Sequence, residues 1–358
     1  GSSRSYSRGS RSCLATLIHV SFLAPCLPHP EATMHLARLA YECAFYGGAC
    51  AVGLVWSWHD SWIEALCGVA TVTIWLIING ASPNGWLVVI AITSVKPQQW
   101  ESFVKGLLGS SGDPLSVAGV WVAGMISFFI FDVTYLVNGL MLLPFDLWAW
   151  ARETAKPFKI QPNVYMSALQ PGKLAQSLAI NAVVLLVFVH LAVANYAWSG
   201  GTWEHFDMPS KQEHLRCLLL GLAWNELMFY YIHRLLHHKK LYGKFHKKHH
   251  EYTAPFALAA IYCGPVEMVV SNLWPFMGSI CFFRFHIFTV YCWIANTILG
   301  TQTHHSGYKW PWMTCMDRQP YVHDLHHELS SVNFGNTVIF DKLHGTFRDP
   351  KEAPPKRA

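Results

Sequence analysis

Three histidine clusters in the second half of the chain combine the residue type and the spacing that metal binding requires. The first has the pattern H-x3-H-H, and the other two have the pattern H-x2-H-H. Their members are His233, His237 and His238, then His246, His249 and His250, then His323, His326 and His327. Residues three and four apart share one face of a helix, and neutral imidazole suits iron, zinc, copper and nickel. The clusters therefore predict metal coordination by imidazoles that converge from distant parts of the chain.

The number of imidazoles is sufficient for two metal ions with coordination positions left open. A further pair, His304-His305, lies between the second and third clusters. His238 is a weaker candidate, because adjacent residues point about 100° apart on a helix. His286 lies within an apolar run, where we expect a structural role.

Acidic residues near the clusters are candidates for orienting the imidazoles. Metal-bound histidines usually donate their second ring N–H to a carboxylate or a carbonyl, and we predict this role for Glu226 and Asp324. Glu226 lies in an apolar run, where a charge is costly and more often functional. For Glu251 and Glu328, simple charge balance with nearby lysines is an equally good interpretation.

The composition indicates that these clusters are carried by membrane helices. Hydrophobic residues make up 52% of the chain and charged residues only 13%, whereas soluble domains have about 25% charged residues. About 20 apolar residues are needed to span the hydrocarbon layer as a helix. The apolar runs are 36–58, 62–80, 86–95, 117–144, 174–198, 215–232, 266–283 and 285–300. We predict an all-α polytopic membrane protein with four to six membrane helices and a helical, histidine-rich cap; the last two runs could instead form a hairpin within one leaflet.

The same pattern divides the chain into four parts. Residues 1–33 are predicted to be disordered or a leader, and residues 34–116 to form N-terminal membrane helices and a connector. Residues 117–348 would form the membrane domain with the histidine clusters, followed by a polar tail at 349–358. Ten scattered cysteines without a CxxC pair are expected to be reduced.

Charge indicates the orientation and excludes one class of partner. A net charge of +5 without a nucleic-acid-binding motif argues against nucleic acid as a partner. Lysines and Arg234 follow the 215–232 run directly, which by the positive-inside rule predicts that the cap faces the cytosol. A metal transporter is a rival class, but its ligands would be expected near the bilayer midplane rather than beside these lysines.

Four segments resemble the fatty acid hydroxylase superfamily, and within it the sterol desaturase and C4-methylsterol monooxygenase branch. They are NELMFYYIHRLLHHKKLYGKFHKKHHEYTAP (225–255), HSGYKWPW (305–312), HDLHHELSSVNFGNT (323–337) and FDKLHGT (340–346).

Three finer features are most similar to the fatty acid hydroxylase domain-containing protein 2 group. They are the LHGT ending with His344, SNLWP (271–275) and KPFKIQP (156–162).

The resemblance implies an oxidoreductase of the endoplasmic reticulum membrane that holds two non-haem iron ions. Such an enzyme would use O2 and electrons from NAD(P)H, delivered by cytochrome b5 and its reductase, to hydroxylate a C–H bond of a membrane lipid. The favoured substrate class is a C4-methylsterol, with a fatty acyl chain or sphingolipid as the alternative, and a non-catalytic protein that binds metal and lipid as a further alternative. By motif match, the implied metal ligands are His233, His237, His246, His249, His250, His305, His323, His326 and His327.

One position departs from the pattern of the branch. Where the branch usually reads YAHPxE, this chain has Tyr262-Cys263-Gly264-Pro265-Val266-Glu267. Glycine at 264 could remove an outer ligand or reshape the pocket, and His304 is the residue that could compensate.

Overall fold

The computed structural model describes residues 83–108, 116–165, 171–198, 208–310 and 319–350, together with Val72. Over this part of the chain the structure is helical, and its one β-bridge pairs Lys159 with Tyr308. The predicted all-α class is confirmed for these residues. Apart from Val72, the predicted apolar runs at 36–58 and 62–80 lie outside the described residues, as do the predicted leader and most of the polar tail.

Six of the described helices correspond to predicted apolar runs, and the others lie outside those runs. In chain order they are α1 Pro83–Ser94, α2 Pro97–Leu108, α3 Val117–Leu142, α4 Pro144–Leu147, α5 Ala149–Ala155, α6 Pro171–Trp198, α7 Lys211–Leu236, α8 Pro265–Phe283, α9 Ile287–His304, α10 Gln319–Leu329 and α11 Ile339–Leu343. Helix α8 contains one wider turn over Met268–Leu273.

Three helical segments in the described part of the chain are long and apolar enough to cross a membrane. They are Val117–Leu147, which joins α3 to α4, Pro171–Trp198 and Pro265–Phe283. The run at 215–232 lies within α7, which begins with the polar stretch KQEH. A count of four to six membrane helices, and a cap that faces the cytosol, stay predictions.

Small residues on α3 allow close packing inside the bundle. A Cβ atom on Gly124 would lie 2.6 Å from His190 Cδ2 of α6, and one on Gly139 would lie 2.3 Å from Leu258 Cδ2. Other positions of α3 expose large apolar residues such as Phe129 and Val133. Small residues inside and large apolar residues outside are typical of helices that pack within lipid.

Polar side chains of α3 and α6 fix the segment that leads into α8. Tyr135 donates to the carbonyl of Leu258 at 2.6 Å, and Asn181 donates to the carbonyl of Ile261 at 2.7 Å. Ser177 donates to the carbonyl of Cys263 at 3.1 Å. Because buried carbonyls need partners, these bonds determine where the chain crosses the bundle and where α8 begins.

The histidine clusters lie at the ends of the helices rather than within the bundle. Helix α7 packs against α8, α9 packs against α3, and α10 packs against α9. The first cluster ends α7, the second forms the turns at 242–251, His305 ends α9, and α10 carries the third. The packing of four helices therefore brings residues about 90 positions apart to one end of the bundle.

Candidate metal centre

The buried histidines form two groups in which the candidate ligand atoms lie within 4.8 Å of one another. The first histidine group consists of His233, His237, His246, His250 and His326. The second histidine group consists of His249, His305, His323 and His327. Together the two groups contain all nine histidines that the sequence motifs predict as metal ligands. Their role as ligands stays a prediction, but the structure brings every one of them into one of two clusters.

The geometry of the first histidine group fits a metal ion. His246 Nε2 lies 3.1 Å from Nε2 of both His233 and His250. Two nitrogens bound to one ion at about 2.1 Å, roughly at right angles, are about 3.0 Å apart. Nε2 of His237 and of His326 is buried without a hydrogen-bond partner. Since buried polar atoms are nearly always paired, these two nitrogens fit the positions of further metal ligands.

The second histidine group shows the same spacing. His323 Nε2 lies 2.9 Å from His305 Nε2 and 3.2 Å from His327 Nε2. His249 Nε2 lies 3.3 Å from His305 Nε2. Four imidazole nitrogens at these separations fit a second ion.

A loop after α10 orients most of the first histidine group. The carbonyl of Phe334 lies 2.7 Å from His233 Nδ1, and the carbonyl of Val332 lies 2.7 Å from His326 Nδ1. Ser330 Oγ lies 3.2 Å from His250 Nδ1. A carbonyl can only accept, so Nδ1 of the first two rings carries the proton and Nε2 presents its lone pair to the group.

Glu267 is an orienting residue that the sequence interpretation missed. Its Oε1 lies 2.7 Å from Nδ1 of His246, and both side chains are buried. The signal was present in the sequence, because Glu267 is a carboxylate at the start of the apolar run 266–283. Its position relative to His246 depends on how the 257–263 segment crosses the bundle, which periodicity does not reveal.

Backbone carbonyls orient two rings of the second histidine group. His305 Nδ1 lies 2.8 Å from the carbonyl of Thr301, one turn earlier in α9. His327 Nδ1 lies 3.1 Å from the carbonyl of Tyr252. These rings also present Nε2 to their group.

Burial keeps the imidazoles neutral. Burial first, and neighbouring histidines second, lower the pKa of His237 to about 2 and the pKa of His250 and His305 to about 3. Desolvation disfavours the charged ring, and so does a second positive ring nearby. Neutral imidazole is the form that binds metal, so the groups are ready to bind at neutral pH.

Glu226 and Asp324 accept hydrogen bonds from different parts of the chain near the histidine groups. Oε2 of Glu226 accepts from the backbone N–H groups of Asn336 and Thr337, each at 2.9 Å. Glu226 thus holds the loop after α10 rather than an imidazole, which differs from the predicted contact. Asp324 Oδ2 accepts from Gln161 Nε2 at 2.9 Å, beside His323.

Replacing Glu226 with alanine should loosen this loop. Two partly buried N–H groups would lose their acceptor, which costs about 1–3 kcal/mol. Glu226→Gln is the matched control, because its amide oxygen can accept the same two bonds. We expect a lower thermal unfolding midpoint for Glu226→Ala than for Glu226→Gln in detergent, and equal midpoints would contradict this role.

Histidines outside the two groups have other surroundings. His238 lies in the turn after α7 and is exposed, and His286 caps the start of α9 by accepting from the N–H of Phe288. His304 is half-buried beside the groups, and His344 stacks on Tyr230 with ring centroids 5.4 Å apart.

Gly264 immediately precedes α8, and a Cβ atom there would meet nothing within 4 Å. Residue 264 belongs to neither histidine group.

We therefore expect Gly264→His to be well tolerated. The backbone there is extended, with φ −79° and ψ 158°, which any residue adopts. The free energy of unfolding should change by less than about 1 kcal/mol. The metal content of the purified variant should match that of the unmodified chain, and a change in metal per chain would mean that residue 264 reaches the histidine groups.

A cavity of about 70 Å³ lies against both histidine groups. Its wall includes His233 and His246 of the first group and His305 and His323 of the second, together with Phe276. Because both groups face the same space, a small molecule in this cavity would contact both metal positions.

Known proteins resemble this chain mainly in the part that contains the histidine groups. The family model described as Fatty acid hydroxylase matches residues 218–346, which contain both histidine groups. Fatty acid hydroxylase ahd1 of Mycosarcoma maydis is 31% identical over 217 residues, covering 59% of this chain and 56% of that protein. Fatty acid hydroxylase domain-containing protein 2 of Homo sapiens is 38% identical over 140 residues, covering 39% of this chain and 41% of that protein.

A third relative is matched over most of its length. Cholesterol 25-hydroxylase-like protein 1, member 2, of Danio rerio is 31% identical over 214 residues, covering 54% of this chain and 76% of that protein. No solved structure matches the chain significantly. The chain spans about half the length of the first two relatives, and it covers 76% of the third.

Proposed function

The chain belongs to the fatty acid hydroxylase family, and from this premise we propose that it is a membrane-bound monooxygenase that hydroxylates lipid C–H bonds at a pair of iron ions. The observation that carries the proposal is the convergence of two groups of buried, neutral imidazoles on one cavity. The first histidine group would hold one ion and the second histidine group the other.

The donor set supports a redox metal at this site. Cleavage of an unactivated C–H bond needs an oxidant that side chains do not provide, and bound iron would supply it with O2 and electrons from outside. Zinc also binds imidazole but has no redox chemistry. The chain's own contribution would be to fix the imidazole nitrogens, through acceptors such as Glu267 and the carbonyl of Phe334, and to limit water beside the ions.

A sterol is the favoured substrate, with oxidation at a C4 methyl group. The motifs at 225–255 and 323–337 resemble the C4-methylsterol monooxygenase branch, and one relative carries the name cholesterol 25-hydroxylase-like. A fatty acyl chain is the second candidate, because another relative carries the name fatty acid hydroxylase. Exposed apolar surfaces on α3 and α6 fit delivery of either lipid from the bilayer.

The electron route and the location are parts of the same proposal. We expect cytochrome b5 and its NAD(P)H-dependent reductase to deliver electrons at the cytosolic side of the endoplasmic reticulum membrane. The exposed lysines beside the first cluster, Lys239, Lys240 and Lys244, support a cytosolic position by the positive-inside rule.

The experiment uses the purified full chain in nanodiscs with cytochrome b5, its reductase, NADH and ¹⁸O2. A 4-methylsterol, a fatty acyl lipid and a ceramide would be supplied separately, and the products followed by mass spectrometry. The proposal expects two irons per chain and ¹⁸O in the sterol product. A labelled acyl product alone would favour the second candidate, and two bound irons without any oxidised lipid would indicate the non-catalytic alternative.

A further inference from the structure

The segment at 156–161 contains no histidine, but it contacts residues that flank the second histidine group. It pairs with the chain that follows α9: the N–H of Ile160 donates to the carbonyl of Gly307 at 3.0 Å, and the N–H of Lys309 donates to the carbonyl of Phe158 at 2.8 Å. His305 of the second histidine group lies two residues before Gly307. The segment therefore fixes the backbone just beyond this histidine.

A buried ion pair anchors the segment from its other side. Lys159 Nζ lies 3.1 Å from Asp146 Oδ1, with side-chain exposures of 2% and 4%. The same ammonium lies 4.3 Å from the ring centroid of Tyr308, whose hydroxyl donates to the carbonyl of Phe145 at 2.7 Å. Breaking a buried pair leaves an uncompensated charge, so this anchor holds its geometry firmly.

Close approach at Gly307 shows how tightly the segment and the HSGY turn fit. Gly307 has φ +73°, and a Cβ atom there would lie 2.7 Å from the carbonyl oxygen of Pro255 and 2.9 Å from Lys159 Nζ. Glycine is the residue that tolerates both the positive φ and the missing space. The turn after His305 is thus held between residues 253–255 and the 156–161 segment.

Gln161 connects the segment to the pieces of chain next to His323 and His327 of the second histidine group. Its buried Nε2 donates to the carbonyl of Thr253 at 2.8 Å and to Asp324 Oδ2 at 2.9 Å. Asp324 lies next to His323 on α10, and Thr253 follows Tyr252, whose carbonyl accepts from His327. One amide thus ties together the two pieces of chain that carry and orient these rings.

The first histidine group is oriented from elsewhere. Glu267 and the loop at 330–334 provide the acceptors for His233, His246 and His326. From this division we infer that the 156–161 segment, through Lys159 and Gln161, positions the second histidine group separately from the first and so sets the affinity of one metal ion of the two. This inference rests on the proposed two-metal function.

Gln161→Leu tests the inference, since it keeps the side-chain bulk but removes both hydrogen bonds. Lys156→Met is the matched control, because Lys156 belongs to the same segment, is exposed, and pairs only loosely with Glu153 at 3.5 Å. Apo-protein would be titrated anaerobically with Fe(II), and both binding steps would be measured. We expect one step unchanged and the other weakened about 10–100-fold in Gln161→Leu, the usual effect of losing an outer partner, with Lys156→Met behaving as the unmodified chain.

Combined variants identify the weakened ion. Adding His305→Ala to Gln161→Leu should weaken only the binding step that Gln161→Leu already weakens. Adding His233→Ala should weaken both steps, because the two substitutions then affect different groups. The inference would be overturned if Gln161→Leu weakened both binding steps equally or weakened neither. It would also be overturned if Gln161→Leu were recovered only as aggregate while Lys156→Met was monodisperse. If the unmodified chain binds no iron, the proposed function itself fails, which is a distinct result.

Discussion

His323→Ala should leave the protein with one tightly bound metal ion and without measurable product formation. His323 lies between two other members of the second histidine group, with Nε2 atoms 2.9 Å from His305 and 3.2 Å from His327. Removing one of four nitrogens takes away roughly a quarter of a binding free energy of about 10–16 kcal/mol, so affinity for that ion should fall by about 70- to 900-fold. Iron per chain and turnover of the lipid substrate are the measurements.

A nearby histidine outside both groups provides the control for this prediction. His238 is exposed and follows directly after a member of the first histidine group. His238→Ala should keep both ions and full activity. If His323→Ala also keeps both ions, or if His238→Ala loses one, the assignment of ligands to the second histidine group is wrong.

The positions of the helices could be predicted from the sequence because apolar runs report membrane burial directly. The predicted run 117–144 corresponds to Val117–Leu147, 174–198 to Pro171–Trp198, and 266–283 to Pro265–Phe283. Composition and run length do not reveal which helices contact each other. The packing of α9 against α3 depends on close approaches such as Gly139 against Gln302, which involve residues far apart in the chain.

The histidine positions were also accessible from sequence, but their division into two groups was not. Adjacent residues belong to different groups, as His249 and His250 do, and as His326 and His327 do. Two neighbouring side chains on one turn point in different directions, so one short motif serves both groups. The family resemblance, which is confirmed, supplied the predicted ligand set, whereas the pairing of motifs depends on how α7, α9, α10 and the turns at 242–251 meet.

The supporting residues were the hardest to predict. Glu226 was singled out because a charge in an apolar run is unusual, yet its partners are the N–H groups of residues 336–337. Glu267 is unusual for the same reason and does contact a histidine. The difference between them is set by tertiary position alone, since both are buried carboxylates on helices that lead to the centre.

Glu267→Ala is expected to have the second large effect, on the first histidine group alone. The substitution removes the acceptor of His246 Nδ1, 2.7 Å away, in a site where both side chains are buried. His246 Nε2 is the atom closest to two other members of its group, so reorientation of this ring displaces a nitrogen that the ion needs. Loss of such an outer partner typically costs 10–100-fold in metal affinity or activity, and we expect a change of about this size in one Fe(II) binding step.

Two further variants accompany Glu267→Ala. One changes the acceptor of His246 Nδ1, and the other is a control at a nearby carboxylate. Glu267→Gln keeps an oxygen that can accept from Nδ1 but is a weaker acceptor than a carboxylate, so its metal affinity should fall between those of the unmodified chain and Glu267→Ala. Glu251→Ala removes an exposed carboxylate that accepts from Tyr262, and it should leave both binding steps unchanged. The ion of the second histidine group should keep its affinity in all three variants, because its rings are oriented by Thr301, Tyr252 and the 156–161 segment. A parallel loss of both ions in Glu267→Ala would show that the two groups are not oriented separately, and an unchanged first step would show that His246 needs no carboxylate to bind metal.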